Sequence, residues 1–380
     1  PTGITNNVAA AYFARQHLSE VSAMRIKRSE ALVFTPSDGQ FIAYNFLEKS
    51  VFECSSDLLD LLSRLKDWTA FEELQEDLSD FDAEEIEGIL ERLLSVGAII
   101  REGSPDAEKE REYADSWSWG LPTALMHFSV QDNPFMSVAQ AEDLQREKAQ
   151  SVGLIALHRA NGDSAMKLPD PMRGKDLIRL MAKRRTVRRA LSVPIKLEQV
   201  SDCLFSGLGI TGWMRNCVGM LPLSMTPSGG GRNPYEAYLF ARNVEGLDRG
   251  VYHYSALGHS LERVADLGDD DITSLIGGQE WGDDKPCMIL LCAHMERTMW
   301  KYEDPNAYRV ILIEAGHIGQ NIMLVATQAG LSACPTAALN HSHAKAILGI
   351  RNITQAPVYA LTLSAPLIEA DANVGEVMAA

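Results

Sequence analysis

Ala315, Ile318, Ile322, Val325, Ala326 and Ala329 recur at spacings of three, four and seven, and Gly330 follows them directly. The period is helical, and the glycine suits the left-handed residue that closes a helix. Around this segment the chain alternates between helical and strand-like stretches. Helices are expected at Lys175–Ala182, Leu197–Leu208 and His343–Leu348, and strands at Ala237–Arg242, Gly250–Tyr254, Met288–Ala293 and Val358–Ser364. Such mixing implies an α+β fold, a mixed sheet with the Ala315–Ala329 helix buried at its centre.

The first hundred residues carry a different pattern. Ala31–Phe34 and Phe41–Phe46 read as short strands around a turn at Pro36–Gly39. Ser55 or Ser56 caps a helix with Leu58, Leu61, Leu62 and Leu65 on one side, and Thr69 with Glu72 forms a capping-box signature for a second. Asp82 opens a third, which stops at Gly97 before the strand-like Ala98–Ile100. Strands and three helices in this order make a winged-helix-like domain at residues 1–104. Ser104–Glu112 is polar and reads as a linker within a connecting region, 105–168, whose Val138–Ser151 segment is helical. Residues 169–380 form the α+β domain.

Charge limits the partners. From Glu53 to Arg92 there are 14 acidic and 3 basic residues, a balance of −11, which argues against nucleic acid because phosphate binding depends on Lys and Arg. The winged-helix-like domain is therefore either a solvated appendage or a peptide-docking module. From Arg173 to Arg189 the balance reverses, with 8 basic residues against 1 acidic, which suits a small anion. No apolar run approaches the roughly 20 residues of a membrane span, and the N-terminal residues lack the pattern of a secretory signal. Cys54, Cys203, Cys217, Cys287, Cys292 and Cys334 include no CxxC pair, which suits reduced thiols in the cytoplasm. His341-Ser-His343 alone does not make a metal site.

Four segments could carry chemistry. Lys183-Arg-Arg-Thr-Val-Arg-Arg189 sets five cations within seven residues, which repel one another unless an anion sits among them. Pro227-Ser-Gly-Gly-Gly-Arg-Asn-Pro234 places three glycines before a strand, an entropic cost that a closely approaching ligand or backbone explains. It matches neither GxxxxGK[ST] nor GxGxxG. Lys301-Tyr302 pairs a cation with a phenol, so that the Lys charge favours the phenolate and creates a base. Gly330–Leu339 runs from a helix end into small residues that admit close backbone approach to a flat ligand. Each has a structural alternative: a solvated basic face, a hairpin loop, a surface pair and simple loop packing.

Taken in order, KRRTVRRA, PSGGGRNPYEAY and KYEDPNAYRVILIEAGHIGQNIMLVATQAGLSACPTAAL resemble the SagB-type dehydrogenases. These form a branch of the nitroreductase superfamily that includes thiazoline and oxazoline oxidases of ribosomal peptide natural products. The resemblance covers about half of the chain, from Lys175 to Pro366. It implies a nitroreductase-like fold that binds FMN. Arg184 and Thr186 would hold the phosphate, and Arg188 would face the pyrimidine edge of the flavin. Pro227, Ser228, Gly229 and Gly230 would pack on the ring system from the partner subunit of a homodimer, with Ala337 and Ala338 offering backbone near its reactive face. Lys301 and Tyr302 match a catalytic pair. Gly231 and Arg232 depart from many relatives, and Arg351 is the nearest candidate for a C-terminal phosphate ligand.

The resemblance implies dehydrogenation of a modified peptide, thiazoline or oxazoline to azole, with Tyr302 as base. A leader peptide and other biosynthetic enzymes are the implied partners, with no membrane and no nucleic acid. Two alternatives stand beside it. One is an NAD(P)H-dependent flavin reductase acting on dehydroamino acids, nitro groups or quinones. The other is a non-catalytic scaffold that binds leader peptide.

Overall fold

The computed structural model describes residues 25–38, 40–77, 82–132, 134, 136–151, 175–189, 191, 193–216, 219–282 and 284–366. The reading of the N-terminal segment, the boundary at 168/169 and Cys217 lie outside the described residues. The chain divides into two compact units, Pro1–Val130 and Gln131–Ala380.

In the first unit, strand Arg25–Arg28 pairs antiparallel with Thr69–Ala70 and Ile99–Arg101, and Leu32–Ser37, Gln40–Asn45 and Ser50–Cys54 form an antiparallel meander. Helices Ser56–Arg64, Phe71–Asp77 and Ala83–Ser95 pack Leu62, Leu65, Leu74, Ile86 and Leu90 into one core with Ile26. Ser55 caps the first helix, and Asp82 with Glu85 forms a capping box on the third.

Two local expectations fail here. Thr69 does not open a helix, because its backbone pairs with Ile26 and the helix starts at Phe71. The expected linker is instead a helix, Pro105–Ser116, capped by the Ser104 hydroxyl on the Ala107 amide at 3.2 Å. Its Glu110 is buried and accepts hydrogen bonds from the Ser29 hydroxyl and the Glu30 amide, while the Tyr113 ring meets the face of Phe46 at 5.2 Å. A long-range bond thus holds a segment whose composition is almost wholly polar.

The second unit is built on a six-stranded sheet in the order Ser260–Ala265, Gly250–Ser255, Tyr235–Ala241, Cys287–His294, Gln355–Ser364, Ser332–Thr336. All five pairings between these strands are antiparallel. Parallel contact enters at the edge bridge Thr186–Ala333 and in the separate pair Ile195–Lys196 with Val244–Glu245. Cys287–His294 is buried at every position but the last, as expected of a strand covered on both faces.

The long helix Ala307–Gln328 covers one face, together with Leu197–Leu208. It starts eight residues earlier than the periodicity suggested, with Tyr308 and Ile311 already buried. Gly319 lies so close to Tyr359 on the sheet that a Cβ there would collide with the phenol ring. Leu331 N–H closes the helix on Ala326 O at 2.8 Å, next to the left-handed Gly330. On the other face, Ile272, Leu275, Leu339 and Ala344 form a second core with Phe240, Met288, Leu290 and Ala360. The long helix is apolar enough to cross a membrane by length and composition, but half of its most apolar window is buried, as in a core helix.

Candidate functional site

The glycine segment sits between the long helix and the Lys301-Tyr302 pair. Gly230 adopts φ +62°, and a Cβ on it would reach Lys301 Nζ at 2.7 Å and collide with the Tyr302 hydroxyl. Only glycine fits that conformation and that space without a shift. Lys301 Nζ donates to Gly230 O at 3.3 Å and stands 5.3 Å from the centre of the Tyr302 ring. On the helix side, a Cβ at Gly229 would lie 2.6 Å from Val310 Cγ1. Gly229 and Gly230 are therefore packed against side chains of this same chain, a reason for glycine that the sequence did not disclose.

Glu314, one turn after Val310, anchors the same loop. Its Oε2 accepts from the Gly229 amide at 3.2 Å, and the Ser228 hydroxyl is a second donor to the carboxyl group. The Ser228 hydroxyl in turn accepts from the Asn233 amide at 2.8 Å. Burial pushes the Glu314 pKa up to about 7, against the pull of those two hydrogen bonds. Beyond the loop, the Arg232 guanidinium stacks 4.6 Å from the Trp300 ring centre.

A cavity of about 410 Å³ opens beside Ser228, Gly230 and Lys301. A second, of about 440 Å³, shares Leu221, Ser224 and Gly231 with it and extends to Glu314 and to Glu236, His253 and Arg297. Glu236 accepts from His253 Nε2 at 2.8 Å and from the Arg297 guanidinium. Burial alone would raise the Glu236 pKa, but these two partners outweigh it and hold the carboxylate below its ordinary range.

The basic segment lies elsewhere on the unit. Helix Asp176–Lys183 ends at Arg184, Thr186 bridges to Ala333 on the edge strand, and the Arg188 carbonyl accepts from the buried Lys285 ammonium at 2.5 Å. Arg184 is near enough to Tyr359, and Arg188 to Cys334, for the cations to favour the ionised partner, although burial raises both pKa values. Among the described residues, Lys183, Arg184, Arg185, Arg188 and Arg189 form no ion pair. Ala337 is exposed, and Ala338 N–H bonds the Thr336 hydroxyl at 3.1 Å at the end of the edge strand. Arg351 is exposed after helix His341–Leu348.

The structure thus joins Ser228, Gly229 and Gly230 with Lys301 and Tyr302, and separately sets Arg184, Thr186 and Arg188 along the edge strand. The two groups meet the long helix at different levels. Val310 and Glu314 serve the glycine group, while Arg184 lies near Tyr359, which packs on Gly319. At 1.5 Å per residue these levels are roughly 8–14 Å apart. Glu314 and Lys285 escaped the sequence reading. The available signal was an acid inside the apolar run ILIEAG and a lysine two residues before the strand CMILLCAH.

Residues 181–364 match the Nitroreductase family. "Putative nitroreductase MJ1384" of Methanocaldococcus jannaschii is 31% identical over 174 residues, which cover 45% of this chain and 83% of that protein. The chain belongs to the nitroreductase family. Members of the family generally use flavin cofactors such as FMN. This nitroreductase-family chain is also 33% identical over 132 residues to the trifolitoxin-processing protein TfxB of Rhizobium leguminosarum bv. trifolii, covering 32% of this chain and 34% of that one. It is 35% identical over 138 residues to the Microcin B17-processing protein McbC of Escherichia coli, covering 35% and 50% respectively. The chain spans half or less of the length of these two proteins, and its likeness to both supports the SagB-type branch.

Proposed function

We propose that this nitroreductase-family oxidoreductase is an FMN-dependent dehydrogenase that converts a thiazoline or oxazoline in a ribosomal peptide to the azole. The observation that carries the reading is the junction of Lys301 and Tyr302 with Gly230, beside a 410 Å³ cavity. The likeness to two peptide-processing proteins supports the substrate class.

The residues present fit FMN. Arg184, Thr186 and Arg188 offer cations without carboxylate partners among the described residues and a hydroxyl, a donor set suited to a phosphate and to the anionic edge of a reduced flavin. Pro227 to Gly230, Ala337 and Ala338 would supply main-chain contact to the ring, and Arg351 a further cation for the phosphate. Bound FMN supplies the hydride acceptor that loss of two hydrogens needs.

Tyr302 would take the acidic Cα proton of the azoline, and Lys301 would support it from beside the ring while fixing the loop through the Gly230 carbonyl. In a homodimer the glycine group of one protomer would meet the basic group of its partner, which accounts for their separation within one chain. Exposed apolar side chains on the long helix, Leu312 and Ile313, and on helix Asp176–Lys183, Leu177 and Met181, suit such an interface. The first unit is proposed to dock a leader peptide, in a cytoplasmic complex with other biosynthetic enzymes.

Lys301→Ala and Tyr302→Phe are expected to keep the bound flavin, seen in the visible spectrum, while turnover of an azoline peptide falls at least ~100-fold, the scale of a lost general base. Unaltered turnover in both variants removes the pair from the mechanism. Rapid anaerobic bleaching of the flavin by NAD(P)H would favour the reductase alternative.

A further inference from the structure

Lys285 is 1% exposed, an unusual position for an ammonium group, and none of the chemistry above uses it. Its backbone is fixed on both sides. Lys285 N–H bonds Gly282 O at 3.2 Å, and the Pro286 carbonyl accepts from the Arg242 and Asn243 amides at 2.8 and 2.9 Å. From this turn the Nζ reaches the Arg188 carbonyl at 2.5 Å. Burial lowers the Lys285 pKa, and the neighbouring Cys334 and Asp284 only partly oppose it.

Among the described residues, 187–189 follow no helix or strand between the bridges Thr186–Ala333 and Leu191–Ala365. Arg188 and Arg189 lie exposed there, next to the exposed Arg185, and the three cations repel one another. A hydrogen bond from a charged donor is the strong kind, and it acts on the main chain of the residue whose guanidinium is proposed above to meet the flavin edge. Holding one neutral carbonyl compensates a buried ammonium poorly. A nearby anion would complete the balance.

We infer that Lys285 is a positioning residue for the flavin, holding the Arg188 main chain so that the Arg188 guanidinium faces the pyrimidine edge. The inference rests on the FMN reading. Its signature is redox: a misplaced Arg188 loses more contact with the anionic reduced flavin than with the neutral oxidised form.

The test compares wild type, Lys285→Met, Lys285→Gln, Arg188→Met and the Arg188→Met/Lys285→Met double variant, each titrated with FMN and measured for the midpoint potential of the bound flavin. Lys285→Met is expected to weaken FMN binding about tenfold. The reduced form should lose about tenfold more than the oxidised form, which lowers the two-electron midpoint by about 30 mV. Lys285→Gln, which can still donate to the carbonyl, should retain most of both properties. The double variant should match Arg188→Met, since a tether has nothing left to place. An unchanged midpoint in a folded, flavin-bound Lys285→Met overturns the inference. If that variant does not fold, a Gln variant whose midpoint falls as far as that of Arg188→Met overturns it, and a retained midpoint supports it. A wild type that cannot bind FMN instead refutes the FMN reading itself.

Discussion

Raising the pH from 5 to 8 is expected to remove about 2.5 kcal/mol from the stability of the second unit through Glu314 alone. Burial raises the pKa of this carboxyl group from 4.5 to about 7. The folded state therefore binds the proton more tightly than the unfolded chain does. The resulting stabilisation is complete below pH 4.5 and is lost as the pH rises through about 7. At pH 5 the ratio of the two proton-binding polynomials is about 77, or about 2.6 kcal/mol, and at pH 8 it is about 1.1, or less than about 0.1 kcal/mol. Glu314→Gln keeps an oxygen that can accept from the Gly229 amide but does not titrate. Urea unfolding of both proteins, followed by circular dichroism at the transition that the substitution moves, isolates the effect. The Gln variant should gain about 2.5 kcal/mol on wild type between pH 5 and pH 8. A gap that stays the same at the two pH values would refute the reasoning that Glu314 is a buried, protonated anchor.

The glycine loop and the proposed interface give further expectations. Gly230→Ala should destabilise the second unit by about 1–3 kcal/mol, because alanine at φ +62° also meets Lys301 and Tyr302. Thermal denaturation reads this directly, and an unshifted midpoint would mean that the loop is free to move away. Leu312→Asp with Ile313→Asp should yield a monomer by sedimentation and reduce FMN retention, since the two halves of the proposed site would no longer meet. A variant that remains dimeric would exclude that face of the helix as the interface.

Strong period made some elements legible in the sequence. Leu197–Leu208 has the bounds that its apolar spacing predicts, and Cys287–His294 differs by one residue at each end from its apolar run. Segments fixed by distant partners were not legible. Glu314 breaks the apolar pattern of the long helix, so the sequence placed the start after it; its hydrogen bond to Gly229, 85 residues away, makes an acid acceptable there. The strand Ser332–Thr336 contains Pro335, which disguises it, yet it is an edge strand of the six and so tolerates the missing N–H. The hairpin Ile210–Asn216 with Gly219–Ser224 was also missed, since Gly212, Gly219 and Pro222 interrupt a strand pattern. The order of the three motifs was informative because it does not depend on such contacts. Their division into two spatial groups is a property of the folded chain.

The most direct measurement is the mass of an azoline-containing peptide after incubation with the FMN-reconstituted protein in air. Loss of two hydrogens per azoline is the expected result, abolished in Tyr302→Phe. A peptide of unchanged mass in the presence of a flavin-loaded, folded protein would contradict the proposed dehydrogenation.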